Sequence, residues 1–286
     1  MEENAVESYK KAKKISDEVV RYAKSLKFEN ATALSIAETI ENLIFQHKGK
    51  PAWPVNVCLN DVAAHFSPLD NTLVLRQGDL VKIDIGVHAD GYICDQAFTV
   101  CVGEKTHPMI TAAEKALDEA LKVLKKGVKV CEVSAVIEDT VKSFGFNTIR
   151  NLCGHGLDRY VVHAPPTIPN TKNEIQDEIA AQAIAIEVFA TDGVGWVKES
   201  EPVTIYQFRQ DKPIRMWEAR KILEKAKVQF EGLPFSPRWT PDIPKLKFDM
   251  AIKQLVETDS LIQYPVLREE SGRPVAVAEA TALLFD

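Results

Sequence analysis

Val81-Lys82-Ile83-Asp84-Ile85-Gly86-Val87-His88-Ala89-Asp90-Gly91-Tyr92-Ile93-Cys94-Asp95-Gln96-Ala97-Phe98-Thr99 is two apolar, β-branched runs divided by Asp90-Gly91. Asp-Gly between such runs predicts a two-residue hairpin, because a type I′ turn needs positive φ at both central positions. That turn pairs Ala89 with Tyr92, Val87 with Cys94, Gly86 with Asp95 and Asp84 with Ala97. Side chains alternate faces along a strand, so Lys82, Asp84, Gly86 and His88 share a face with Ile93, Asp95, Ala97 and Thr99. Asp84 and Asp95 become diagonal neighbours roughly 7–8 Å apart at the backbone. Two carboxylates so placed can close on one cation. A buried, unpaired carboxylate is costly, and Lys82, on the same face, is the alternative partner to a metal ion.

Outward from the hairpin, Tyr9–Leu26 and Thr32–His47 carry apolar residues at helical spacing, with Asn30 as a cap and Gly49 as a stop for the second. Lys10, Lys11, Lys13 and Lys14 read as a solvated helix face rather than a ribosome or RNA contact. Leu73–Leu75, Ile149–Cys153, Ile184–Ala190, Thr204–Phe208 and Ala276–Phe285 read as strands, and Thr111–Leu124 and Val133–Phe144 as helices. Trp217–Phe230 and Lys247–Glu257 are helical, so residues 209–262 form a helical insert within a strand-based core. A weak repeat is visible: His65 and a proline precede the strand of Asp84, and His163 and prolines precede the strand of Glu187. It suits a duplicated α/β unit with acids converging from both halves.

Glu187 and Glu279 each stand alone as a charge in a long apolar stretch, and His155 is flanked by Gly154 and Gly156, which permit close backbone approach. Cys153 could add a sulfur. Two Asp, two Glu and one His form an oxygen-rich donor set suited to Mn, Fe(II), Co or Zn, and four negative charges balance two divalent ions. Competing chemistries lack their signatures: there is no GxSxG elbow, GxxxxGK[ST] loop or GxGxxG. A two-carboxylate glycosidase would not need His155 or the additional acids. His47 reads as part of an amphipathic helix, His107 before Pro108 as a surface residue, and His88 as solvated beside the turn.

These residues, in this order, resemble the type 2 (archaeal and eukaryotic) branch of the methionine aminopeptidases. The resemblance is carried by Gly49 to Pro54, Asn60 to His65, Ile83 to Asp95, Gly154-His155, Val162-His163, Ile168 to Asn170, Ala185 to Glu187 and Glu279. It covers nearly the whole chain. It implies an α+β pita-bread fold with a pseudo-twofold α/β core, spanning 1–286 as one catalytic domain, with 209–262 as the type 2 insert. It implies two divalent ions held by Asp84, Asp95, His155, Glu187 and Glu279, with Asp95 and Glu279 bridging. Water between the ions attacks the carbonyl of an N-terminal methionine, and Glu187 shuttles the proton. His163 and His65 contact the substrate, and Trp53, Val162 and Tyr264 form the methionine pocket. Small second residues are favoured.

The chain also departs from the family pattern. Val277 and Ala280 replace the usual Gln and His around the last Glu, Val188 replaces a Pro, Ala181-Gln182-Ala183 replaces a Gly-Asp turn, and Trp53 stands for a pocket Phe. Weaker metal binding and a narrower pocket are expected. A prolidase or Xaa-Pro aminopeptidase uses the same ligands, although the insert argues against that sibling. A metal-free relative that binds ribosomes or other proteins is the non-enzyme alternative.

Composition narrows the class further. Of 286 residues 45% are hydrophobic and 27% charged, enough for a sizeable core. The net charge of −6 argues against general nucleic-acid binding. No run is apolar enough to span a membrane, and Met1–Lys14 has no apolar signal core. The five cysteines form no CxxC pair and read as reduced. A cytoplasmic monomer is expected, acting on nascent polypeptides, with transient ribosome contact left open.

Overall fold

The computed structural model describes residues 3–285, so Met1, Glu2 and Asp286 of the expected span 1–286 lie outside the described residues. In chain order the elements are α1 (Glu3–Ala23), α2 (Ala33–Gln46), β1 (Lys50–Pro51), β2 (Asn56–Leu59), β3 (Val62–Ala64), β4 (Leu80–Ala89), β5 (Tyr92–Cys101), α3 (Pro108–Val123), α4 (Val130–Ser143), β6 (Asn147–Thr148), β7 (Cys153–Asp158), β8 (Val161–Pro169), β9 (Ala183–Thr191), β10 (Val197–Phe208), α5 (Trp217–Glu224), α6 (Lys245–Glu257), β11 (Leu261–Glu269) and β12 (Val275–Leu283).

β4 and β5 form the hairpin in the expected register, with Asp84 opposite Ala97 and Gly86 opposite Asp95. Asp90 and Gly91 have φ of 53° and 88°, the paired positive values of a type I′ turn. β1 and β2 pair with the two ends of β4 and complete the first sheet. The second sheet runs β12-β9-β7-β8, with β6 on β9, and a third runs β10-β11-β3.

Alternation along the strands divides the two working sheets into a helix face and an inner face. On β4, Val81, Ile83, Ile85 and Val87 pack with Ile15, Val19, Ala37 and Ile40 of α1 and α2. On β9, Ile184, Ile186 and Val188 pack with Ala113, Leu117, Val133 and Ile137 of α3 and α4. Each half is therefore a sheet backed by two helices, which is the pseudo-twofold core. Burial of each such aliphatic side chain contributes about 1.5–3 kcal/mol. The acids occupy the other face of each sheet.

The halves meet where β5 runs beside β12. No backbone ladder joins these two strands among the described residues; threonine hydroxyls do. Thr99 Oγ1 donates to the Val277 carbonyl at 2.8 Å and accepts from the Val277 amide at 2.7 Å. Thr281 Oγ1 accepts from the Asp95 amide and donates to its carbonyl, both at 2.8 Å.

Several local expectations differ from the structure. Thr32, not Asn30, caps α2, its hydroxyl accepting from the Ser35 amide. Lys48, not Gly49, takes the left-handed conformation after α2. Leu73–Leu75 makes a single bridge through Val74 rather than a strand. The strand expected at Ile149–Cys153 is displaced to β6 and β7 on either side. Between β10 and β11, α5 continues into a π-helical turn at Lys225–Gln229, and Ala219, Ile222, Phe235, Phe248 and Leu255 build an apolar cluster of their own.

Candidate metal centre and catalytic cleft

Five strands from both halves converge on one point. Asp84 and Asp95 come from β4 and β5. Glu187 on β9 lies directly opposite Glu279 on β12. His155 on β7 pairs with Ala185, and its flanking glycines let the strands close around it. A Cβ at Gly154 would lie 2.5 Å from the Ala185 carbonyl oxygen, and one at Gly156 2.2 Å from that of Pro165.

Asp95, His155 and Glu279 each bring a ligand atom within 4.8 Å of the others. His155 Nε2 lies 3.6 Å from Asp95 Oδ2 and 3.9 Å from Glu187 Oε1. His155 Nδ1 is 3.0 Å from the Gly156 carbonyl. A proton on Nδ1 satisfies that contact and leaves the Nε2 lone pair facing the acids, the tautomer a metal ligand needs. Asp84 lines the same cleft, its Oδ1 accepting from Trp53 Nε1 at 3.0 Å.

The electrostatics are those of acids gathered without a base. Burial raises Asp84 to about 7 and Glu187 to about 8, with the Asp84 charge adding to the rise at Glu187. Asp95 and Glu279 are pushed well above the usual carboxylate range, first by burial and then by neighbouring acids. Asp95 Oδ1 is buried with no hydrogen-bond partner. Lys82 does not relieve them: its Nζ donates to the Asn60 and Leu80 carbonyls at 2.8 and 3.3 Å. Four carboxylates, an orphaned acceptor and an imidazole lone pair fit divalent cations with oxygen and nitrogen preferences, such as Mn, Fe(II), Co or Zn.

The structure brings every sequence-predicted site residue to this cleft. Besides the five ligand candidates, Trp53, His65, Val162, His163 and Tyr264 line it. His163 stands exposed at the mouth, its ring 4.6 Å from that of His155 and nearly perpendicular to it. His65 has φ of 65°, sits 3.3 Å by Nδ1 from the Pro265 carbonyl and meets Tyr264 edge-on at 5.4 Å. Burial and the neighbouring His163 lower its pKa to about 4, so it is neutral. Tyr264 donates to Gln207 Oε1 at 2.5 Å.

Other readings need correction. His88 is buried, not solvated: its Nδ1 accepts from the Gly91 amide at 3.2 Å, and its Nε2 lies 3.7 Å from Glu231. Cys153 is half-buried and does not line the cleft. His107 caps α3 by accepting from the Met109 amide. Sequence reasoning missed Thr99 and Thr281, whose hydroxyls align β5 with β12, and Asn170, which donates to the Glu187 carbonyl at 2.9 Å and accepts from the Phe189 amide at 2.8 Å. A Thr among apolar residues was the only signal for the first two, and Asn170 entered only as the end of the Ile168–Asn170 match. Of the departures, Val277 faces the cleft and packs with Ala63, Ala97 and Phe189. Ala280 lies on the opposite face, against the core under α3 and α4.

The sequence pattern of metallopeptidase family M24 matches residues 7–216. The chain belongs to metallopeptidase family M24. A Pyrococcus horikoshii relative named methionine aminopeptidase is 42% identical over 284 residues, covering 98% of this chain and 95% of its own. Among solved structures, a methionine aminopeptidase from Thermotoga maritima aligns with a TM-score of 0.72 at 22% identity, covering 100% of this chain and 94% of its own. A thermophilic Arx1 aligns at 0.84 with 18% identity, covering 100% and 89%. At such identities the structural likeness speaks for the fold, which is the pita-bread arrangement of these neighbours.

Proposed function

We propose that this protein removes the N-terminal methionine from nascent proteins and peptides with a small second residue, as a type 2 methionine aminopeptidase. The observation that carries the reading is the convergence of Asp95, His155 and Glu279, with Asp84 and Glu187, in a cleft also lined by Trp53 and Val162.

Asp84, Asp95, His155, Glu187 and Glu279 would hold two divalent ions. Bound ions supply Lewis acidity and lower the pKa of water toward neutrality. Glu187, whose Oε1 lies 3.9 Å from His155 Nε2 in the cleft, takes a proton from the attacking water and hands it to the leaving amine. His163 at the mouth hydrogen-bonds the scissile carbonyl as negative charge develops there. His65 completes the wall beside it. Trp53, Val162 and Tyr264 enclose the methionine side chain. The substrate's free α-amine is held at the carboxylate cluster, which confines cutting to the first residue. The helices of 209–262 belong to this reading as the type 2 insert within a single catalytic domain, in a cytoplasmic monomer that meets nascent chains, with transient ribosome contact.

Metal-titrated hydrolysis of Met-Ala-Ser, beside an Xaa-Pro peptide, tests the reading. Methionine release that depends on Mn, Co, Fe(II) or Zn supports it. Preferred cleavage of Xaa-Pro would point to the prolidase sibling, and absence of both metal binding and turnover to a non-enzyme relative.

A further inference from the structure

Trp53 makes a contact that a pocket wall does not require. Pro51 pairs with Val87, and the Ala52 amide donates to the Gly86 carbonyl at 2.9 Å, which registers the following residue against β4. The indole then lies on Gly86, where an added Cβ would sit 2.5 Å from ring atoms Cε2 and Cζ2. Ile93, Val162 and Leu233 pack in the same apolar cluster, so the ring has little room to swing. From that fixed position Nε1 donates to Asp84 Oδ1 at 3.0 Å. It is the hydrogen bond that Asp84 has among the described side chains, and it occupies one carboxylate oxygen while leaving the other free.

We infer that Trp53 is a positioning residue for Asp84: its indole N–H anchors one oxygen of the carboxylate and thereby presents the other to a divalent cation in the cleft. The inference rests on the metallopeptidase reading and adds a role in metal retention to a residue otherwise assigned to substrate binding. Groups that orient a ligand commonly contribute 10–100-fold in metal affinity, so loss of this single N–H weakens the step that involves Asp84 by about tenfold.

The test is titration of the metal-free full-length protein with Mn2+ and Co2+, followed by calorimetry and by tryptophan emission. Four tryptophans are present, so the difference between wild type and Trp53→Phe isolates Trp53, whose emission Co2+ should quench in step with binding. Trp53→Phe removes the donor and shrinks the ring. Incorporation of benzothienylalanine at position 53 keeps the bicyclic shape and removes only the donor. Both proteins should bind Co2+ about tenfold more weakly. In Asp84→Asn, adding Trp53→Phe should produce no further loss. Wild-type Co2+ affinity in the benzothienylalanine protein, or independent multiplication of the two substitutions, would overturn the inference while leaving the proposed function standing if the wild type binds metal and releases methionine. A wild type that binds neither ion and cleaves nothing overturns both.

Discussion

Single side chains in the cleft owe their chemistry to one neighbour each. His155 is turned toward the acids by the Gly156 carbonyl, and Asp84 is tethered by an indole. Replacing Asp84 with Asn keeps the shape and the Trp53 contact but removes a charge that two cations need. Turnover of Met-Ala-Ser should fall by about 100-fold or more, with an unchanged far-UV circular dichroism spectrum; wild-type activity would refute the ligand assignment. At this scale the sequence was legible wherever a charge stood alone in an apolar strand, as Glu187 and Glu279 do. It was misleading where a polar group had a partner far along the chain. Lys82 looked available to Asp84, but its ammonium group is taken by the carbonyls of Asn60 and Leu80. His88 looked solvated beside its turn, but Tyr160 packs on it at 5.9 Å between ring centres and Glu231 approaches from the segment after α5.

Strands deliver these residues, and their spacing is set by what is missing as much as by what is present. A methyl group at Gly154 would be 2.5 Å from the backbone of β9, so Gly154→Ala must push β7 outward and His155 with it. Overpacking of this kind costs about 1–3 kcal/mol, to be read in urea unfolding, and calorimetry should show weakened Co2+ binding in parallel. Thr281→Val deletes both hydroxyl contacts to the Asp95 backbone, leaving a buried amide unsatisfied at about 1–3 kcal/mol. A loss below about 0.5 kcal/mol would show that the two strands are held by something else. The β4–β5 hairpin could be derived residue by residue, because an Asp-Gly turn and period-2 alternation are local. β11 and the short strands β1 to β3 could not, because each is defined by partners elsewhere: Arg268 with Val62 in one case, Pro51 with Val87 in another.

Taken as a whole, the metal-free protein confines acid groups in one cleft, and its stability should record this. Asp84 and Glu187 move from ordinary values of 3.8 and 4.5 to about 7 and about 8. The folded form therefore binds more protons than the unfolded chain up to about pH 8, and its stability falls as pH rises through that range. His65 and His155, lowered from 6.5 to about 4 by burial, act in the opposite sense, and their contribution is lost as pH falls from 6.5 through 4. Between pH 6.5 and 8 the four raised carboxyl groups, Asp95 and Glu279 included, outweigh the single opposing group, Lys82, which burial lowers from 10.5 to about 7, so the Tm of the metal-free protein should decline across that interval. Added Mn2+ should raise Tm more at pH 8 than at pH 6.5, because cations bind the ionised carboxylates; a metal-free Tm that is flat or rising there would contradict the picture. The convergence of the two halves was hinted at by the His–Pro repeat, but its geometry was beyond sequence reasoning. Asp95 and Thr281 touch across 186 positions of chain, and no local pattern encodes that.

Threonine hydroxyls, rather than a continuous run of peptide hydrogen bonds, fasten β5 to β12, and among the described residues they clasp two amide protons across that seam, those of Asp95 and Val277. Deuterium uptake at those two positions would time the separation of β5 from β12. Because the acids sit on either bank of that seam, cation escape should follow the opening of β5 from β12 that those two amides report.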